Sequence, residues 1–214
     1  TIVSPATLMC SEGLVSISSQ SHVQADGLGC SANNGVSPGS TDVYTLSGGS
    51  GGGYGGAGGT VMTETGLIDG GFGQTDYPEA VTPFSSGSGG GCSHSLDCGG
   101  SYEVSGPSSR YNVPYMNGGG IIVVYAERIL TLWGTLSANG GAGKVMHSSR
   151  DDRVGGGGGS GGIIISISGA LVGRGNYSAN GGLGGGIYSP GDTASRVPVD
   201  YYGAGGGGGQ VWLY

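Results

Sequence analysis

Short apolar runs, each entered through glycine, set the rhythm of this chain. Leu14-Val15-Ser16-Ile17-Ser18 and Ile165-Ser166-Ile167-Ser168 alternate apolar and polar residues with the period of two that puts one face of a strand on a core. Ile121-Ile122-Val123-Val124 is apolar at every position, which predicts a strand buried on both faces, as in a parallel sheet covered on both sides. The runs are β-branched, too short for helices and punctuated by glycine, so propensity and length both predict strands.

The runs recur. Gly118-Gly119-Gly120 leads into Ile121-Ile122-Val123-Val124-Tyr125, then Ile129-Leu130-Thr131-Leu132, then Ser137-Ala138-Asn139-Gly140-Gly141. Ser160-Gly161-Gly162 leads likewise into Ile163-Ile164-Ile165-Ser166-Ile167, then Ala170-Leu171-Val172, then Ser178-Ala179-Asn180-Gly181-Gly182. The offset, roughly 41 to 42 residues, lies in the range of solenoids and arrays. Weaker copies begin at Gly13 and Gly58, the first with Ala25-Asp26-Gly27 in place of Ala-Asn-Gly. Gly205 to Gly209 lead into Gln210-Val211-Trp212-Leu213-Tyr214, which reads as a repeat begun and not completed. Its strand is the candidate assembly element.

Composition explains what lies between the strands. Of 214 residues 54 are glycine, yet 36% are hydrophobic and only 10% charged, so the chain lacks the charge-rich signature of disorder. Each glycine run sits at the same place in the repeat, directly before a strand, and a flexible linker has no reason to keep that register. The expected arrangement is a stack of glycine segments in polyproline-II-like conformation, close-packed as in collagen, where only glycine fits a crowded position. The predicted fold is all-β, a glycine-rich parallel β-solenoid with little or no helix. It forms one repeat-built domain over 1–214, or a piece of a longer chain, since the first residue is Thr1 rather than Met.

Seven Lys and Arg face 14 Asp and Glu, a formal net charge of -7. Nucleic acid is disfavoured as a partner, because phosphate binding relies on clustered cations. No run of apolar residues is long enough to span a membrane as a helix. Four cysteines with few lysines fit an oxidising, extracellular setting. The expected disulfides are Cys10 to Cys30 and Cys92 to Cys98, with Cys92, His94 and Cys98 as an alternative metal-binding set. Asn176-Tyr177-Ser178 is a sequon for an attached glycan.

The glycine segment before an aliphatic strand, followed by L-x-G-x-L-S-A-N-G-G at 132–141, resembles the glycine-rich repeats of pectin-lyase-like parallel β-helix proteins in large secreted and surface polypeptides. The resemblance spans the chain except the variable loops at about 74–116, 144–153 and 186–203, and implies an extracellular structural or adhesive role. In composition alone the chain is also similar to the glycine-rich sandwich adhesins of phage tail fibres.

Catalytic signatures fare worse. Gly158-Gly159-Ser160-Gly161-Gly162 and Gly48-Gly49-Ser50-Gly51-Gly52 both match G-x-S-x-G, but without the strand-turn-helix context and the acid and histidine partners a nucleophile needs. Lys144 ends a glycine stretch like that of a phosphate loop, yet Ala138 and Val145 occupy two of its required positions. Asp69 and Asp76 offer oxygen ligands for calcium, the one cofactor the sequence suggests. Asp151-Asp152, between Arg150 and Arg153, would be the acidic pair of a polysaccharide-degrading enzyme, or a solvated loop.

The expected function is therefore non-enzymatic: an extracellular subunit whose partners are copies of itself, stacked head to tail into a filament or surface coat. The alternative is an adhesin that binds glycan or a cell surface through loop tyrosines such as Tyr77, Tyr102, Tyr111, Tyr115, Tyr188, Tyr201 and Tyr202. The enzyme is the third reading.

Overall fold

The computed structural model describes residues 1–41, 48–63, 66–73, 85–92, 101–105, 110–147, 153–185, 200–201 and 203–214. Among these the regular elements are strands throughout, with no helix: β1 (Ile2–Val3), β2 (Ala6–Ser11), β3 (Leu14–Ile17), β4 (His22–Gln24), β5 (Val61–Thr63), β6 (Gly66–Ile68), β7 (Ser101–Ser105), β8 (Arg110–Pro114), β9 (Ile121–Leu132), β10 (Thr135–Ser137), β11 (Val145–His147), β12 (Arg153–Gly155), β13 (Ile163–Gly173), β14 (Asn176–Ser178), β15 (Asp200–Tyr201) and β16 (Gln210–Leu213).

Two open parallel sheets carry the repeat. In the first the order is β2, β9, β13, β16, with β3 beside β2 on the same flank of β9; in the second it is β1, β4, β10, β14. Both follow chain order, and the registers line up. Ala6, Ile121, Ile163 and Gln210 form one row across the first sheet. Ile2, Val23, Leu136 and Tyr177 form one across the second. The remaining strands make two antiparallel hairpins, β5 with β6 and β7 with β8, and a small mixed sheet of β11, β12 and β15.

The alternation read from the sequence now has two destinations. Ile122, Val124, Leu130 and Leu132 of β9 point inward and meet Val23, Leu136 and Ile17 in a core between the two sheets. Ile121 and Val123, on the other face of the same strand, pack with Ile163, Ile165 and Trp212 against the buried ring of Tyr54. The uniformly apolar run is covered on both sides.

Tyr54 belongs to the glycine runs, and these pack on one another. In the central run, 155–162, the N–H groups of Gly157, Gly158 and Gly159 donate to the carbonyls of Gly91, Ala204 and Gly141. Those of Ser160, Gly161 and Gly162 donate to Ser88, Gly207 and Ala138, the same three segments in the same order. Three further segments donate to the run: Gly49 and Gly52 to Gly155 and Gly158, Gly185 and Gly182 to Gly156 and Gly159, Gly119 to Ser160. A period of three residues is that of the polyproline II helix. Successive N–H groups of the run turn to three neighbouring segments in rotation, and Ser160 alone brings a side chain into it.

A Cβ built on Gly158 would run into the carbonyl of Gly182, and one on Gly161 into that of Ala179. Hydrogen bonding offsets the ordering entropy, on the order of 1–2 kcal/mol per residue, that would otherwise keep such a run disordered. Segment 85–92, expected as part of a variable loop, belongs to the same packing: Ser88 and Cys92 are fully buried, and Gly89 and Gly90 donate to Asn34 and Met116.

The S-A-N-G repeat has its own task beside the second sheet. The Asp26 carboxylate accepts from the Ser137 hydroxyl (2.9 Å) and the Asn139 N–H (2.7 Å). One strand on, Asn139 Oδ1 accepts from the Ser178 hydroxyl (2.7 Å) and the Asn180 N–H (2.8 Å). Asp26 accepts these two bonds with its two carboxylate oxygens, and Asn139 accepts the equivalent pair with Oδ1 alone.

Stability should follow space rather than glycine content. Gly158→Ala forces a methyl group onto a carbonyl and is expected to cost about 3 kcal/mol or more. Gly208, with nothing within 4 Å of a built Cβ, should accept alanine with a change of about 0 to +1 kcal/mol. Urea denaturation of the two variants checks this; equal effects would contradict the packing.

Candidate functional site

The serines of the two G-x-S-x-G matches are built into the glycine packing. Ser160 and Ser50 are fully buried. Ser160 Oγ accepts the Ser88 N–H at 2.8 Å and donates to the Ser88 carbonyl at 3.3 Å. Ser50 Oγ does the same with Ser40, at 2.7 and 3.3 Å. Ser88 Oγ in turn accepts from the Ser37 N–H (2.9 Å), and Ser37 Oγ from the Phe72 N–H. Each hydroxyl accepts an N–H of the neighbouring segment, as a carbonyl would, beside the direct backbone bond that Ser160 and Ser50 each make to the same segment. Its lone pairs serve backbone, not a reacting carbon.

Other candidate chemistry is dispersed. Among the described residues no three His, Cys, Asp or Glu side chains come together as metal ligands. Asp69 is exposed, while Asp76, His94, Cys98, Arg150, Asp151 and Asp152 lie outside the described residues. His22 is half-buried in β4. Tyr115 is half-buried; Tyr102, Tyr111 and Tyr201 fall in β7, β8 and β15; Tyr77, Tyr188 and Tyr202 lie outside the described residues.

The expected pairing of Cys10 with Cys30 does not form, and both thiols are free. Cys10 follows the exposed positions Ala6 and Leu8 on the outer side of β2, in register with Tyr125. Cys30 sits in the glycine packing, its N–H on the Gly87 carbonyl and its Sγ 3.3 Å from Ser86 Oγ. Cys92 is disulfide-bonded, and Asn33 Nδ2 donates to its sulfur at 3.1 Å.

What the fold leaves unfinished is concentrated at the sheet edges. β16 forms one edge of the first sheet and β2 with β3 the other; β14 and β1 are the edges of the second. Val211, Leu213 and Tyr214 are exposed at one end and Ile2, Val3, Leu8 and Leu14 at the other, Leu8 to 70%. Trp212 and Tyr214 meet edge to face, ring centroids 6.1 Å apart. β16 pairs with only Ile163–Ser166 of the much longer β13, and a depression of about 230 Å³ opens beyond it, lined by Ser166, Ser168, Ala170, Leu171, Leu213 and Tyr214. The assembly residues read from the sequence, Gln210, Val211, Trp212, Leu213 and Tyr214, therefore lie at a sheet edge. The opposing edge, Ile2 to Ser11, escaped the repeat comparison. Its signal is the short apolar stretch Leu8-Met9-Cys10 between Thr7 and Ser11, interrupted upstream by Pro5.

No protein-family model, curated protein or solved structure matches the chain. The resemblance of the repeats thus rests on the quoted residues alone.

Tyr54 joins the two layers and provides a handle on them. It is 2% exposed, and its hydroxyl has no hydrogen-bond partner. Burial, helped by charge on nearby Cys30, pushes the phenol up to about 12 from 10.0. Burial also raises Tyr177, and the Ser166 hydroxyl draws it part of the way back. A phenol with a raised folded-state pKa holds its proton in the fold after the unfolded chain has lost it. Stability should therefore fall as pH rises from about 10 to about 12. Tyr54→Phe should flatten that fall and, by removing an unpaired buried hydroxyl, raise neutral-pH stability by about 1 kcal/mol. Thermal denaturation across pH measures both effects; an unchanged alkaline profile would remove Tyr54 as their source.

Proposed function

We propose that the chain is an extracellular structural subunit that stacks through its sheet edges into a filament or surface coat. The observation that carries this reading is the pair of parallel sheets whose strands follow chain order and whose edge strands have no further strand beside them among the described residues. Each pass of the chain adds one strand to each sheet, which supports a solenoid with the glycine packing as its third side. An uncovered parallel edge is a template for another strand, and a head-to-tail contact that does not close into a ring generates a fibre. The low charge of the edge strands favours such pairing; β2, β14 and β16 contain no Lys, Arg, Asp or Glu. Asn176 is exposed on β14, which suits a sequon in a secreted chain.

A second reading, an adhesin, is favoured by a different surface. Leu14, Tyr125, Ile129, Trp133 and Val172 are exposed on or beside the first sheet, and Ile129 and Leu14 are direct neighbours. Aromatic and aliphatic groups grouped in this way suit contact with the apolar faces of sugar rings.

Electron microscopy of the purified chain separates the two readings. Filaments are expected, and Leu8→Lys with Val211→Lys should abolish them while moving monomer stability by no more than about 0.5 kcal/mol for each exposed site. Discrete particles at every concentration, with saturable binding on a glycan array, would replace the structural role with the adhesive one.

A further inference from the structure

The two ends of the sheets are stepped, and the steps match. β1 pairs with β4, the strand that follows β2 and β3 in the chain, so β1 stands one strand spacing ahead of β2. At the other end β14 belongs to the same pass of the chain as β13, and β16 stands one spacing beyond it. One end therefore projects a strand of the second sheet, and the other projects a strand of the first.

Hydrogen-bond polarity continues across this step. In the second sheet the N–H groups of Ser4, Ala25 and Ala138 donate to the carbonyls of Gln24, Ser137 and Ser178, each on the next strand. The next donor in that series is the Ala179 N–H, and the carbonyl in line with it would be Val3 of a further strand. In the first sheet the N–H groups of Ile121, Ile163 and Gln210 donate backwards to Pro5, Gly120 and Gly162. The next acceptor is the Gly209 carbonyl, and the N–H in line with it would be that of Ala6.

Val3 and Ala6 occupy these positions in the rows already present, Val3 beside Gln24 and Ala6 beside Ile121. At the corner between the sheets, Gly120, Gly162 and Gly209 donate to Ala25, Ala138 and Ala179. On the projecting strand this corner is made covalently, by Ser4 joined to Pro5, and proline has no N–H to leave unpaired.

We infer that the partner of these edges is a second copy of this chain, docked so that its β1 pairs with β14 and its β2 with β16 of the first. The Ala179 N–H then meets the Val3 carbonyl of the second copy, whose Ala6 N–H meets the Gly209 carbonyl. Both contacts are made by one translation of four strand spacings, about 19 Å. The projecting β1 completes the pass of the chain that β16 begins. The inference rests on the filament reading and adds to it a register, a polarity and a repeat length.

The test uses the wild-type filament and a pair of cysteine variants. Cryo-electron microscopy should give a rise of about 19 Å per subunit. Thr7→Cys with Val211→Cys, in a Cys10→Ser background, places two thiols in adjacent positions of the predicted row. Treated with a short bis-maleimide, this variant should give a ladder of covalent oligomers. Thr7→Cys with Leu213→Cys, shifted by two residues, should give at least several-fold less. Filaments with another rise, or stronger cross-linking of the shifted pair, would overturn this docking and leave the filament reading standing. A monomer at all concentrations, with no ladder from either variant, would overturn both.

Discussion

The fold depends on the distance at which two polypeptide backbones can lie when neither carries a side chain. In the 155–162 run the space a Cβ would need is occupied by carbonyl oxygens of neighbouring segments, as at Gly158 and Gly161. The same closeness lets every N–H from Gly156 to Gly162 reach an acceptor on another segment. Glycine is ordinarily the residue most costly to order. Here its bareness is the condition for the bonds that hold it in place, so flexibility in the free chain and rigidity in the folded one have a common cause.

Where side chains are admitted, they divide the labour. The parallel sheets gather the aliphatic residues, between themselves and under Tyr54, and so supply the apolar burial that the glycine segments cannot. Asp26 and Asn139 fasten successive strands at the margin of the second sheet. Ser37, Ser50, Ser88 and Ser160 add side-chain bonds between the glycine segments without breaking their backbone bonding. The chain thus separates two kinds of cohesion, one by exclusion of water and one by backbone hydrogen bonding, and places the open edges where the first kind is exposed.

Much of this was legible in the sequence because it is periodic. The offset between the two strong copies is the register itself, with Ile121 beside Ile163. The unbroken apolar run at 121–124 announced burial on both faces. The glycine runs announced close packing by keeping their place before each strand. What remained hidden depends on partners far apart in the chain. Segment 85–92 looked like loop because its neighbours, around Gly39, Ser50, Met116 and Gly157, have no sequence relation to it. Pro5 separates β1 from β2 and obscures both, and an even number of cysteines says nothing of the distance between Cys10, on the outer side of β2, and Cys30, in the glycine packing. In the candidate interface one edge was visible as a repeated motif, whereas the other follows only from the strand order.

The period of three in the central run bears on how such a sequence can change length. Each successive N–H turns to a different neighbour and returns to the first after three residues, so inserting one glycine would present every later donor to the wrong segment. Inserting three would restore the alignment and extend the run by a single turn. Runs of this kind should grow and shrink in threes, like a reading frame, with the spatial lattice of neighbouring chains in the place of the codon.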